Sequence, residues 1–196
     1  KAKYEVDATP QVFIDGERIG GFDDLNVYFG NVTIPTNSTT YKPVIALFMV
    51  AALMASVISW LLIGTIFSGR SVEWFISISM VLLGLQKLQD VERFATMFLN
   101  YDLLAQRWVR YGYVYPFVET GAGLLMMAGV LTWLSAPAAL VVASIGAISV
   151  FKAVYVDKRE LKCACVGGES NVPLGFVSLT ENLMMIGMAV WMLAKL

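Results

Sequence analysis

Cys163 and Cys165 are the only cysteines in the chain. One residue separates them, within the segment Lys162-Cys-Ala-Cys-Val-Gly-Gly-Glu-Ser-Asn-Val-Pro-Leu-Gly175. Two thiols this close form a strained, readily reduced disulfide. Equally, they chelate a soft ion such as Cu(I) or Hg(II). A cysteine kept for packing is usually buried and solitary, so an adjacent pair in a Gly-rich loop points to chemistry. Lys158, Arg159 and Lys162 nearby favour the thiolate form. The chain has no histidine, which excludes His-ligated haem, zinc–His sites and His general bases.

The second set of reactive groups lies inside apolar stretches. Glu119 falls about 9 Å into its stretch at 1.5 Å per helical residue. Glu181 falls at a similar depth in another stretch, Lys152 sits near the matching end of a third, and Gln86 and Lys87 end a fourth on the same side. Intramembrane charges are costly, face a bundle interior and are usually paired. A structural Glu–Lys pair accounts for one of the carboxylates, and the second points to a proton or substrate site. Met126 shares the helical face of Glu119, as Met184 and Met188 share that of Glu181. Methionine ligates soft metals and also fills apolar gaps, and filler is the simpler account of these three.

Composition decides what kind of elements hold these groups. Of 196 residues, 58% are hydrophobic and 15% charged, with a formal net charge of −1. Soluble domains are nearer 45–50% apolar and 25% charged, and nothing in the charge balance suggests nucleic acid as a partner. Five apolar stretches follow one another at about 44–67, 72–88, 113–134, 138–156 and 174–193, against the ~20 residues a bilayer-spanning helix needs. The second is the shortest. Between the second and third, Phe94, Met97, Phe98, Tyr101, Leu104 and Trp108 recur at helical spacing. The pattern predicts one amphipathic helix, either in the membrane interface or packed on the bundle. The fold class expected is an all-α membrane protein, a bundle of four to five transmembrane helices over residues 44–196. With the amino terminus inside, every one of the 14 cations except Arg70 and Lys195 falls on the inner side. The positive-inside rule then places the amino terminus and the Cys163–Cys165 loop on the cytoplasmic face of a bacterial inner membrane.

Residues 1–34 read differently, and 35–43 read as a linker. Gln11–Asp15 is a short β-rich run, and Asp15-Gly16 is a hairpin signal. The run Thr9-Pro10-Gln11-Val12-Phe13-Ile14-Asp15-Gly16 through Ile19-Gly20-Gly21-Phe22-Asp23-Asp24-Leu25 resembles the carboxy-terminal part of a glutaredoxin, a thioredoxin-like fold. The resemblance implies that Pro10 is cis and faces an active-site thiol. It also implies that Gly20, Gly21, Asp23 and Asp24 hold glutathione, and that the catalytic C-x-x-C half lies upstream of Lys1.

The larger part resembles the MauE family of methylamine-utilisation proteins, within the DoxX-like group of small four- or five-helix membrane proteins. The resemblance rests on Lys87-Leu-Gln-Asp90, Tyr115-Pro-Phe-Val-Glu119, Cys163-Ala-Cys-Val-Gly-Gly168, Val172-Pro-Leu-Gly175 and Leu179-Thr-Glu181. It implies thiol redox chemistry. The expected activity is thiol–disulfide exchange at Cys163 and Cys165 with glutathione or a glutaredoxin- or thioredoxin-like module, Glu119 or Glu181 moving the proton. The alternative is a Cu(I) or Hg(II) carrier built on Cys163, Cys165, Met126, Met184 and Met188. A third class is an assembly factor that docks a partner without chemistry.

Overall fold

A computed structural model describes residues 12–20, 22–30, 41–159, 161, 163 and 172–196. The chain divides into two compact units, Lys1–Ser38 and Thr39–Leu196. In the first, strand β1 (Val12–Ile14) pairs antiparallel with β2 (Glu17–Gly20), and helix α1 (Phe22–Tyr28) follows. Asp15 and Gly16 both have positive φ, 50° and 86°, the conformation a two-residue hairpin turn of matching twist requires. The hairpin therefore falls where Asp15-Gly16 predicts it.

The second unit is an all-α membrane protein. Its helices are α2 (Lys42–Ile63), α3 (Gly69–Gln89), α4 (Val91–Phe98), α5 (Leu103–Arg107), α6 (Val109–Ala128), α7 (Thr132–Phe151) and α8 (Phe176–Leu193). A π-helical turn, Lys152–Val156, extends α7. Four helices are long and apolar enough to cross a membrane: α2, α3, α7 with its π turn, and α8. The short second stretch of the sequence is thus a full helix of 21 residues. A reciprocal cap at its start lengthens it, since the Ser68 hydroxyl accepts from the Ser71 amide while the Ser71 hydroxyl accepts from the Ser68 amide.

Helix α6 is more polar, yet it runs antiparallel to α3 along its length. A Cβ at Gly84 would lie 2.2 Å from the Thr120 hydroxyl, and one at Gly123 would lie 3.0 Å from Met80 Cβ. Close approach through small residues is how helices associate where water supplies no driving force. Gly129, left-handed at φ 69°, ends α6 beside Arg70. This turn divides the third and fourth stretches earlier than the unbroken apolar run suggests. Helices α7 and α8 pair through Gly146, which faces the Asn182 amide.

The segment from Asp90 to Arg110 departs from the single amphipathic helix expected. It breaks into α4 and α5, because the Asp102 carboxylate accepts from the amides of Leu104 and Ala105 and starts a new helix. Phe94, Phe98 and Tyr101 are buried against Tyr111 and Tyr115 of α6, so this face packs on the bundle. Trp108 alone of the predicted stripe is largely exposed, at 56%.

Candidate functional site

Each helix reaches the bundle centre with a stripe at helical spacing. On α3 the buried stripe is Ser77, Met80, Gly84 and Lys87. On α6 it includes Tyr115, Glu119 and Met126, and on α8 it includes Ser178, Glu181, Met185 and Met188. The three stripes converge on Lys87, whose ammonium donates to Glu119 Oε1 and Oε2 at 2.8 and 2.6 Å and to Glu181 Oε1 at 2.6 Å. The three side chains are 3%, 0% and 4% exposed. Rings of Tyr115 and Phe94 stand 5.3 and 6.0 Å from the same ammonium, a cation–π setting.

Two carboxylates against one ammonium leave one negative charge in excess. A charge so deeply buried is costly unless it is neutralised. Among the described residues, Glu181 Oε2 has no protein partner, and neither has Asn182 Oδ1 on the next residue. Both residues line a small cavity of about 10 Å³, together with Lys87, Tyr101, Tyr115 and Ser178. Glu181 also borders a second, apolar cavity between α3 and α8, lined by Met80, Met184 and Met185.

Cys163 is 1% exposed and disulfide-bonded. Leu161 and Cys163 pair through backbone hydrogen bonds with Leu174 and Val172, at 2.7 and 2.8 Å. This pairing folds the segment back onto the start of α8. Val44, Val172 and Val177 surround the sulfur, and the Ser178 hydroxyl lies 3.0 Å from Sγ.

The structure thus brings together Cys163, Glu119 and Glu181, the first through Ser178 on the helix that carries Glu181. Of the two lysines expected near this depth, Lys152 is exposed at the start of the π turn and Lys87 is the buried cation. Lys158 is exposed, and Arg159 donates to the Asn100 carbonyl at 2.7 Å. Met126 and Met188 are buried in the main apolar core, and Met184 is half-buried. Among the described residues, no three His, Cys, Asp or Glu groups lie where they could hold a metal ion. In the amino-terminal unit Gly20 ends β2 with a φ of 125°, and a Cβ there would collide with the exposed Asp24. Asp23 lies in α1. Pro10, Gly21, Lys162 and Cys165 lie outside the described residues.

These features define a class: a multi-pass helical membrane protein with a buried carboxylate–lysine cluster beside a disulfide. The chain belongs to the family described as methylamine utilisation protein MauE, which it matches over residues 63–195. The match takes in Lys87, Glu119, Cys163 and Glu181 and leaves the amino-terminal unit outside it. No curated protein and no solved structure matches the chain.

Proposed function

We propose that the chain is a thiol–disulfide oxidoreductase of the bacterial inner membrane, acting within a process related to methylamine utilisation. Its redox centre is the Cys163 and Cys165 pair. Its thiol partner is glutathione, or a glutaredoxin- or thioredoxin-like module. The observation that carries the reading is the disulfide-bonded Cys163, buried 3.0 Å from the hydroxyl of Ser178. Helix α8, which holds that hydroxyl, also carries Glu181 into the Lys87–Glu119 cluster.

In the reducing direction a glutathione thiolate attacks the disulfide and forms a mixed disulfide. The displaced sulfur leaves as a thiolate and takes a proton, which Glu119 or Glu181 supplies. A second glutathione thiolate then releases glutathione disulfide and the dithiol, and the reverse sequence oxidises the pair. Segment 1–34, read as the end of a glutaredoxin, would hold glutathione through Pro10, Gly20, Gly21, Asp23 and Asp24. The cation distribution supports an amino terminus and a Cys163–Cys165 loop on the cytoplasmic side.

Single Cys163→Ser and Cys165→Ser variants test the reading. Cys163→Ser leaves one sulfur able to form a mixed disulfide but unable to resolve it, so glutathionylated protein accumulates and is seen by mass spectrometry, whereas Cys165→Ser leaves only the buried sulfur and exchanges poorly. Met126→Leu, Met184→Leu and Met188→Leu keep apolar volume and retain exchange. Tight Cu(I) or Hg(II) binding, uptake lost in the Met variants and no trapped mixed disulfide would establish the carrier instead.

A further inference from the structure

We infer that Ser178 is the proton relay between the Cys163 sulfur and the Glu181 carboxylate, acting through a water held in the cavity beneath it. The inference rests on the thiol–disulfide reading above. Ser178 Oγ lies 3.0 Å from Cys163 Sγ, both buried. A sulfur in a disulfide carries no proton, so the hydroxyl is the donor and the sulfur the acceptor. At 1% exposure Cys163 is shielded from an incoming thiolate. It is therefore the leaving sulfur, the one on which negative charge appears.

On its other side Ser178 borders the cavity that also contains Glu181 and Asn182. The Asn182 amide nitrogen donates to the Ser178 carbonyl at 2.7 Å. That bond fixes the orientation of the amide and directs Oδ1 toward Gly146, where a Cβ would stand 2.5 Å from it. Buried acceptors without protein partners are satisfied by ordered water in most proteins, and a buried water typically makes about three hydrogen bonds. Glu181 Oε2 and Asn182 Oδ1 are two such acceptors, and the Ser178 hydroxyl is a third polar group on the same cavity.

The incoming thiolate bonds to the partner sulfur, the S–S bond breaks, and its electron pair stays on Cys163 Sγ. Ser178 passes its hydroxyl proton to that thiolate and takes one from the water, which is replenished by the proton that neutralises the excess negative charge of the Glu119–Glu181 pair. The products are the mixed disulfide, the Cys163 thiol and a carboxylate pair one proton poorer, still held by Lys87. Ser178 and the water end unchanged.

The test uses the full chain in lipid nanodiscs, following disulfide reduction by glutathione in light and heavy water. The wild type shows a solvent deuterium isotope effect above one. Ser178→Ala slows exchange by about 10²-fold, the lower end of what a positioned proton donor contributes, and loses the isotope effect. Ser178→Thr restores both. An isotope effect of one in the wild type, Ser178→Ala exchanging at the wild-type rate, or Ser178→Thr as slow as Ser178→Ala overturns the relay and leaves the thiol reading standing. Should the wild type fail to exchange with glutathione and with a reduced glutaredoxin or thioredoxin, both are overturned. The wild-type isotope effect decides the question even where Ser178→Ala does not fold.

Discussion

Lys87 has two buried carboxylates and two aromatic rings around one ammonium, and its removal exposes what the cluster costs. Lys87→Met leaves the negative charge of the cluster uncompensated in the bundle. Breaking a buried pair by deleting one partner typically costs about 3–5 kcal/mol. The triple variant Lys87→Met, Glu119→Gln, Glu181→Gln removes the charge altogether and should recover most of that loss. Denaturation in detergent micelles, followed by circular dichroism, measures both. A Lys87→Met protein as stable as wild type would mean that the carboxylates are not ionised against it. Glu119 and Glu181 were legible in the sequence because a carboxylate inside an apolar run is conspicuous. Lys87 was less so, because it stands at the end of its stretch and reads as a boundary residue. Its position on the Ser77, Met80, Gly84 stripe was the available signal. Ser178 and Asn182 carried none, since small polar residues are ordinary in membrane helices.

At the scale of elements, the helices were legible wherever apolar length alone defines them, as in α2, α7 and α8. The single predicted helix over 90–110 failed because its apolar period continues through a break that one side chain imposes. Asp102 caps α5 through one carboxylate oxygen. It lies outside the spanning helices, and burial pushes its carboxyl above the ordinary range, against the amide hydrogen bonds that lower it. The folded protein therefore holds this proton more readily than the unfolded chain does. The stability Asp102 contributes is complete below its unfolded value, near 3.8, and is lost as pH rises through the raised folded value. Asp102→Asn keeps the cap and removes the charge. It should flatten that decline and leave the protein more stable than wild type at neutral pH. Unfolding midpoints from pH 4 to 8 check this, and parallel profiles for the two proteins would contradict it.

At the largest scale, the membrane unit has two polar ends. At one, Glu73 is held by Arg70 at 3.0 Å, by the Trp191 indole at 2.8 Å and by Lys195. Arg70 and Lys195 are the two cations that the charge count assigns to the outer side, and the fold places them on the same carboxylate. The other end carries Trp108, Arg159 and the Cys163 segment, and the Lys87 cluster lies toward it. Phe67 is 94% exposed near the Glu73 end and Trp108 is 56% exposed at the other. In a background of Cys163→Ser and Cys165→Ser, Phe67→Cys should react with a membrane-impermeant maleimide on intact spheroplasts, and Trp108→Cys should react only after lysis. The opposite pattern would invert the orientation. On the proposed reading, thiol exchange at Cys163 draws its proton from the buried carboxylates. The most direct measurement is the rate of glutathione-dependent exchange in nanodiscs for wild type, Glu119→Gln and Glu181→Gln. The account predicts folded variants with exchange slowed by about 10²-fold or more in Glu181→Gln, and a smaller loss in Glu119→Gln. Wild-type rates in both variants would contradict it and reduce Lys87, Glu119 and Glu181 to a packing cluster.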